Sequence, residues 1–249
     1  MLNAERMEKS LIYRTEQIIR ELANDIAFKI QDKPFREEIL KRLKFSKIDD
    51  WNVLCSLMDV LGDTESAKEN FFRYNLSGPT KILDYGEQYL RLYGITNAIY
   101  LQKSALLSFI ELVKLTNKKS WTNKIDSLKI LELRHIVGAH TIDFMDSSGT
   151  RNSHQLQRGS LNDRIIQTSD SKGNFKEFNL KDLILEFNEL AEEILIQATE
   201  KFINTVLKNG GEKKEKYLNK LEPIKCSKKG DLVIWSENGE DQFIITISN

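Results

Sequence analysis

Apolar residues recur every three or four positions along most of the chain, which is the spacing of helices that bury one face. The pattern predicts helices over residues 4–31, 35–45, 48–61, 63–74 and 180–207. Gly62 is expected to end the third of these, because glycine commonly follows the last turn of a helix. The whole sequence has only three prolines and twelve glycines. Because so few residues interrupt helices, the sequence predicts a mainly α fold, an antiparallel helical bundle.

The most regular stretch of the sequence predicts the longest contact between two helices. It has a 3-4 spacing without a slip, through Leu92, Ile95, Ile99, Gln102, Leu106, Phe109 and Val113. Such a seam is typical of a helix packed lengthwise on another helix. Gln102 is its one polar residue, and two interpretations stay open: a buried amide satisfied by a neighbouring helix, or a polar group that supports a site. A polar turn at 117–120 precedes a further helix that runs from about Ile125 into Gly138.

Two hairpins are predicted outside the helices. The segments 164–168 and 174–178 flank a polar loop inside a β excursion at about 150–179, and 231–236 and 241–247 surround Asn238-Gly239. Asn-Gly between apolar runs is the strongest short hairpin signal. The sequence therefore divides into a helical domain, 1–209, and a lysine-rich linker with a terminal β-hairpin, 210–249.

Charge and composition narrow the function classes. Lys and Arg together number 37, as do Asp and Glu. Nucleic-acid-binding proteins usually carry a basic excess, so any RNA contact is expected to be local or shared between subunits. Two cysteines form no disulfide framework, the start of the chain resembles no signal peptide, and no stretch reaches the ~20 apolar residues of a membrane span. The expectation is a cytoplasmic protein without a membrane partner.

The candidate chemistry lies at Arg134. Two of the three histidines, His135 and His140, are beside it, and His154 is the third. His135 and His140 are five positions apart, roughly 140° around a helix, and no cysteine pair or acidic cluster accompanies them, so no metal site is predicted. Imidazole transfers protons near neutral pH, and guanidinium binds phosphate oxygens. These residue types suit RNA cleavage without a metal.

The segment Arg134-His-Ile-Val-Gly-Ala-His140 resembles the Arg-(Asn/His/Asp)-x(4–6)-His signature of the HEPN superfamily. The likeness covers roughly 50–205 and includes Tyr93-Gly94, Leu101-Gln102, and His154 with Arg158-Gly159-Ser160. It implies a HEPN-like bundle of four or five helices with the motif near the end of a helix. It further implies a homodimer whose two motifs face one cleft, and a metal-independent ribonuclease of a toxin–antitoxin or antiviral defence system.

The resemblance assigns roles to residues of this chain. Arg134, His140 and His135 are the expected catalytic residues, and Gln102 and His154 are supporting residues. Residues 208–229 contain eight lysines and three glutamates, and this excess makes Lys213, Lys214 and Lys216 candidates for RNA contacts. Arg158, in the Arg158-Gly159-Ser160 element, is a further candidate. No cofactor and no metal are expected. The expected partners are a second copy of the chain, RNA and an antitoxin.

An alternative without catalysis stays open. Arg134 would pair with an acidic neighbour such as Glu132 or Glu193, His140 would cap a helix C-terminus, and the protein would be a dimeric HEPN-fold scaffold. The usual Gly-His ending of the signature is also extended here to Gly138-Ala139-His140. Arg134 and His140 are then six apart, about 240° on an ideal helix, so they share a cleft only if the turn opens at Gly138.

Overall fold

The computed structural model describes residues 10–30, 34–139, 144–145, 149, 151–161, 165–230, 232–234 and 243–245. Over these residues the chain is mainly helical and contains a small three-stranded antiparallel sheet, which confirms the predicted fold class at that level. The specific HEPN-like bundle stays a prediction. No helix in this part of the chain is both long and apolar enough to cross a bilayer.

Eight α-helices follow one another along the described residues. They are α1 (Leu11–Ala27), α2 (Phe35–Leu43), α3 (Asp50–Tyr74), α4 (Tyr85–Leu112), α5 (Lys118–Asp126), α6 (Lys129–Arg134), α7 (Leu180–Val206) and α8 (Gly211–Lys228). The long seam predicted through Gln102 lies on α4, and the predicted helix 180–207 is α7. A π-helical turn, His135–Ala139, continues α6.

Three of the predicted helix boundaries are wrong. Gly62 does not end a helix, because α3 runs through it from Asp50 to Tyr74. Glycine inside a helix costs only about 1 kcal/mol relative to alanine, and the buried 3-4 stripe continues on both sides of Gly62. The first helix ends at Ala27 rather than 31. The helix predicted from about Ile125 is interrupted, since α5 ends at Asp126 and α6 begins at Lys129.

The prediction of a lysine-rich linker is also wrong, because most of that segment forms helix α8. Its apolar residues Tyr217, Leu221 and Ile224 are all buried at spacings of four and three. This face packs on α1. The many lysines between these positions hide the helical period in the sequence, and burial of three large side chains supplies the stabilisation that propensity alone does not.

In the described residues, seven strands form three antiparallel sheets. The predicted hairpin is β4 (Ile165–Asp170) paired with β5 (Phe175–Asn179), and β3 (His154–Leu156) adds a third strand with His154 opposite Asp170. β1 (Phe144–Met145) pairs with β2 (Arg151–Asn152). The terminal hairpin is present as β6 (Leu232–Ile234) on β7 (Phe243–Ile245), while its predicted Asn238-Gly239 turn lies outside the described residues.

The chain divides into two compact units. The first comprises Met1–Gly62, Leu106–Lys118 and Ala191–Asn249, and its core includes stacked or edge-on contacts of Phe202 with Phe45 and Phe109. The second comprises Asp63–Ala105 and Lys119–Leu190. Its core includes apolar residues of α4, α6, α7 and the three-stranded sheet: Leu92, Ile95, Ile99, Leu133, Ile166, Phe178, Ile184 and Phe187. Arg134 and His135 belong to this second unit.

Candidate functional site

The helix that carries Arg134 changes its winding immediately after it. α6 ends at Arg134, and residues His135–Ala139 form a π-helical turn. A π turn bonds i to i+5 and therefore holds one residue more than an α turn; such turns are frequent at functional sites. Gly138 is exposed within it, and a Cβ added there would meet nothing within 4 Å. The turn therefore includes the glycine at which the chain would have to open for Arg134 and His140 to share a cleft.

His140, the expected proton-transfer residue, lies outside the described residues. Its pairing with Arg134 therefore stays a prediction.

The Arg134 side chain is held by an aromatic ring rather than by an acid. Its guanidinium carbon lies 4.0 Å from the centroid of the Tyr100 ring on α4. This distance is that of a cation–π contact, which holds a guanidinium through its charge and does not occupy its N–H donors. Among the described residues of the second unit, no carboxylate lies within 4.0 Å of it.

Both acidic residues considered as partners for Arg134 make other contacts. Glu132 forms an ion pair with Lys176 at 2.5 Å. Glu193 accepts a hydrogen bond of 3.3 Å from Gln197 on its own helix. The Glu132–Arg134 pair expected in the scaffold alternative is therefore not formed.

Tyr100 also contacts a histidine and a lysine. The His135 ring meets it edge-on, with centroids 6.3 Å apart and planes at 78°. The Lys103 ammonium lies 5.4 Å from the ring centroid and also pairs with Asp126. Arg134, His135 and Lys103 thus form a local basic cluster around Tyr100. In a chain of zero net charge, the Arg134 guanidinium is a local positive charge of the kind that binds phosphate.

An open pocket of about 580 Å³ adjoins this cluster, with Arg134 in its wall. The other lining residues come from α4 and the π-helical turn: Leu90, Tyr93, Gly94, Thr96, Asn97, Val137 and Gly138. The volume lies within the usual range of small-molecule sites. Tyr93-Gly94, which entered through the resemblance, therefore lies beside Arg134. This cavity is called the Arg134 pocket.

Sequence reasoning missed Tyr100 and Asn97. Tyr93, Asn97 and Tyr100 are separated by four and three positions and so share one face of α4. That polar and aromatic stripe lies alongside the apolar seam on the same helix. The buried seam has the stronger period and masks this stripe, although an Asn between two tyrosines at helical spacing is a usable signal.

Gln102 is buried and does not line the Arg134 pocket. Its amide oxygen accepts a 2.9 Å hydrogen bond from the Lys68 ammonium, and its nitrogen donates to Thr64 at 3.0 Å and to Glu65 at 2.6 Å. All three partners lie on α3. This is the geometry of the first interpretation, a buried amide satisfied by a neighbouring helix.

His154 and Arg158 lie on the sheet side of the second unit. Strand β3 contacts the π-helical turn, and its His154 is buried, with 7% of its surface exposed. The pKa of Asp170, opposite His154 in the register, is lowered chiefly by the Asn174 side chain and to a smaller extent by His154. Arg158 is exposed on a single 3₁₀ turn, Arg158–Ser160. Neither residue lines the Arg134 pocket.

The described residues contain no group of three or more His, Cys, Asp or Glu side chains arranged to hold a metal ion.

No protein-family model, curated protein or solved structure matches this chain. The HEPN assignment accordingly rests on the motif residues of the sequence, and it stays a prediction.

The lysines proposed for RNA contacts lie on α8 in the first unit. Lys213 is 3.6 Å from an Asp25 oxygen, and Lys216 is 3.3 Å from a Glu21 oxygen, so both face carboxylates of α1. Tyr217, fully buried beside them, donates a 2.6 Å hydrogen bond to Asp25 and is the main cause of the lowered pKa of that carboxyl. These ion pairs offset part of the local positive charge, and RNA binding by Lys213, Lys214 and Lys216 stays a prediction.

Proposed function

We propose that this protein is a cytoplasmic, homodimeric RNA-binding protein and metal-independent endoribonuclease of the HEPN type, acting in bacterial defence or with an antitoxin. The proposal assigns phosphate binding to Arg134 and proton transfer to His140, with His135 assisting. One observation carries it. The Arg134 guanidinium lies on the Tyr100 ring at the wall of an open pocket, with no carboxylate of the described second unit in ion-pairing distance.

That arrangement suits a phosphate ligand. An arginine whose N–H groups are not occupied by a carboxylate can donate two parallel hydrogen bonds to phosphate oxygens. The Tyr100 ring contacts the guanidinium, and no described residue of the second unit accepts a hydrogen bond from it. His135 contacts the same ring, so an imidazole lies close to where a phosphate would bind.

The proposed reaction is an internal transesterification. A base removes the proton of the 2′-hydroxyl, and that oxygen attacks the adjacent phosphorus. The bond to the 5′-oxygen breaks, and an acid protonates the leaving oxygen, giving a 2′,3′-cyclic phosphate and a 5′-hydroxyl end. Imidazole suits both proton transfers, and Arg134 stabilises the charge that develops on the phosphate.

The test is cleavage of single-stranded RNA by purified protein in EDTA. Wild type is expected to yield cyclic-phosphate ends, and Arg134→Ala and His140→Ala are expected to lose cleavage while keeping the wild-type circular dichroism spectrum. Equal activity in all three proteins would indicate a contaminating nuclease and overturn the proposal. Arg73→Ala is a matched control, since it removes an exposed arginine that also lies beside a tyrosine ring but does not line the pocket.

A second candidate is a dimeric HEPN-fold scaffold that binds a partner or RNA without cutting. The observation that favours it is an exposed apolar stripe on α4, where Leu90, Tyr93 and Leu101 are 68%, 44% and 45% exposed. Exposed apolar side chains that share a helix face are typical of interaction surfaces. A protein that dimerises and binds RNA but leaves it intact under all conditions would favour this candidate.

A further inference from the structure

We propose that the Arg134 pocket is a nucleobase subsite, which takes one unstacked base of single-stranded RNA while Arg134 holds the neighbouring phosphate. This inference rests on the proposed function, because it requires Arg134 to contact RNA. It goes further in naming the part of the substrate that fills the cavity and the two side chains that bind it, Tyr93 and Asn97.

Tyr93 provides a stacking surface. Its side chain is 44% exposed and lines the pocket on the α4 side. The Tyr89 ring lies behind it, with centroids 5.9 Å apart and planes inclined by 35°. A ring that is exposed on one side and supported on another can receive a base without being reordered first, and aromatic side chains are the common stacking platforms for single strands.

Asn97 provides the polar contact. It is exposed, lines the same pocket one helical turn after Tyr93, and no described residue forms a hydrogen bond with its side chain. A side-chain amide presents a donor and an acceptor next to each other. Base edges present the same pair, so an amide at this position can form two hydrogen bonds with a base.

Two glycines leave room for that base. A Cβ added at Gly94 or at Gly138 would meet nothing within 4 Å, so neither glycine is required by packing against a neighbour. Both line the pocket, one on α4 and the other on the π-helical turn. Their missing side chains keep the space between Tyr93 and Arg134 open.

The combination points to single strands rather than duplexes. A base can enter a side pocket only when it is unstacked and unpaired, which is the state that proteins read in loops and single-stranded segments. A duplex would present its phosphates to Arg134 but no free base to Tyr93 and Asn97. The pocket is therefore expected to bind single-stranded RNA more tightly than the same sequence in a duplex.

The experiment measures binding apart from cleavage. Fluorescently labelled 2′-fluoro oligonucleotides of A, C or U lack the nucleophilic hydroxyl, and their affinity for the full chain is read by anisotropy. Tyr93→Ala is expected to weaken binding about tenfold, the magnitude typical of one lost stacking contact, and Tyr93→Phe to retain it. Tyr85→Ala is the matched control, because Tyr85 is 42% exposed on the same helix but does not line the pocket.

Two further variants separate the subsite from loss of fold. Gly94→Leu places a side chain into open space at the pocket and is expected to weaken binding as much as Tyr93→Ala, with a melting temperature no lower than that of wild type. Asn97→Leu keeps the size of the side chain but removes its hydrogen bonds. It is expected to reduce the differences in affinity among the A, C and U oligonucleotides, an effect that a purely structural role would not produce.

The outcomes distinguish this inference from the proposed function. Binding that depends on Arg134 but is unchanged in Tyr93→Ala, Asn97→Leu and Gly94→Leu overturns the nucleobase subsite and leaves the proposed function standing. Equal affinity for single-stranded and duplex oligonucleotides also overturns the subsite. Failure of wild type to bind or cleave any RNA overturns both.

Discussion

Lys68 and Arg134 both reach helix α4 within the second unit, and they are held there in opposite ways. Lys68 is 2% exposed, and its ammonium has three oxygen partners: Gln102 at 2.9 Å, Asn188 at 2.6 Å, and the Glu65 carboxylate. An ammonium has three donors, so all of them are used. Arg134 lies over the ring of Tyr100 and faces an open pocket. Tyr100 is only two residues before Gln102 on α4.

The difference separates a structural cation from one suited to bind a ligand. Every donor of Lys68 is committed to the protein, and burial makes each of those contacts necessary to the others. The aromatic ring fixes Arg134 without occupying its hydrogen-bond donors. The exposed fraction of a side chain does not by itself show whether its hydrogen-bond donors are occupied. What distinguishes the two residues is the chemistry of the group that holds each charge.

The largest expected effect is on stability at Lys68. Lys68→Met leaves the Glu65 carboxylate buried without its cation, and the free energy of unfolding is expected to fall by about 3–5 kcal/mol. Urea denaturation measures this. Arg134→Met is the control and is expected to cost less than about 1 kcal/mol, because its side chain is only partly buried. Equal losses in the two variants would contradict the comparison.

A double variant sharpens that test. Adding Glu65→Leu to Lys68→Met removes the charge left behind, and replacing a buried ion pair by apolar residues is often close to neutral. Most of the lost unfolding free energy should therefore return. A double variant that is no more stable than Lys68→Met alone would show that the carboxylate is not the source of the loss.

Tyr217 tests an intermediate case, a buried hydroxyl bonded to a partly exposed carboxylate. Tyr217→Phe removes the 2.6 Å hydrogen bond to Asp25, and the unfolding free energy at pH 7 should fall by about 1.5–3 kcal/mol. The folded-state pKa of Asp25 is lowered, mainly by this bond, so its contribution is present above the unfolded pKa of about 3.9 and is lost as the pH falls through the folded value.

The stability difference between wild type and Tyr217→Phe should therefore narrow in acid. Urea denaturation at a series of pH values measures it, with Asp25→Asn as the companion variant. A difference that stays constant down to pH 2 would mean that the charge of Asp25 does not strengthen the bond.

Tyr100 tests whether the ring positions Arg134. Tyr100→Leu removes the cation–π contact, worth about 0.5–2 kcal/mol, so RNA cleavage that depends on Arg134 is expected to fall by roughly 2-fold to 30-fold. Tyr100→Phe keeps the ring and should restore most of the rate. If Leu and Phe have the same effect, the ring does not act by holding the guanidinium.

The smallest expected effect is at Gly94. Gly94→Ala adds a methyl group in open space and removes the conformational cost of a glycine within a helix, so the unfolding free energy should rise by about 0.5–1 kcal/mol. Gly62→Ala on α3 is the matched control, with the same open surroundings and the same expected gain. A loss of stability at Gly94 alone would mean that the glycine has a structural role in α4.

The helices that sequence periodicity predicted well are those whose buried face repeats without interruption, such as α7 and the seam of α4. The β4–β5 hairpin was equally predictable, because a polar loop separates two short runs with period two. Errors arose where tertiary packing overrides a local signal. Gly62 carries the strongest local signal for a helix end in its region, yet the buried stripe continues across it.

The candidate site was only partly predictable. Arg134 and His135 were found from residue chemistry, and Tyr93-Gly94 from the resemblance. The ring of Tyr100 was not, because nothing in the sequence states that α6 places Arg134 over that position of α4. The ion pairs of Lys213 and Lys216 with α1 join residues about 190 positions apart, and no local pattern contains that information.

The π-helical turn gives a physical account of the length of the motif. It holds one residue more than an α turn, and the ending Gly138-Ala139-His140 has one residue more than the Gly-His ending it resembles. The turn thus accommodates one residue more than an α turn directly after Arg134. Without it, each added residue would rotate the following chain by about 100° around the helix axis. The wider turn consequently sets the direction in which the chain leaves α6, while Arg134, which precedes the turn, stays over the Tyr100 ring of α4.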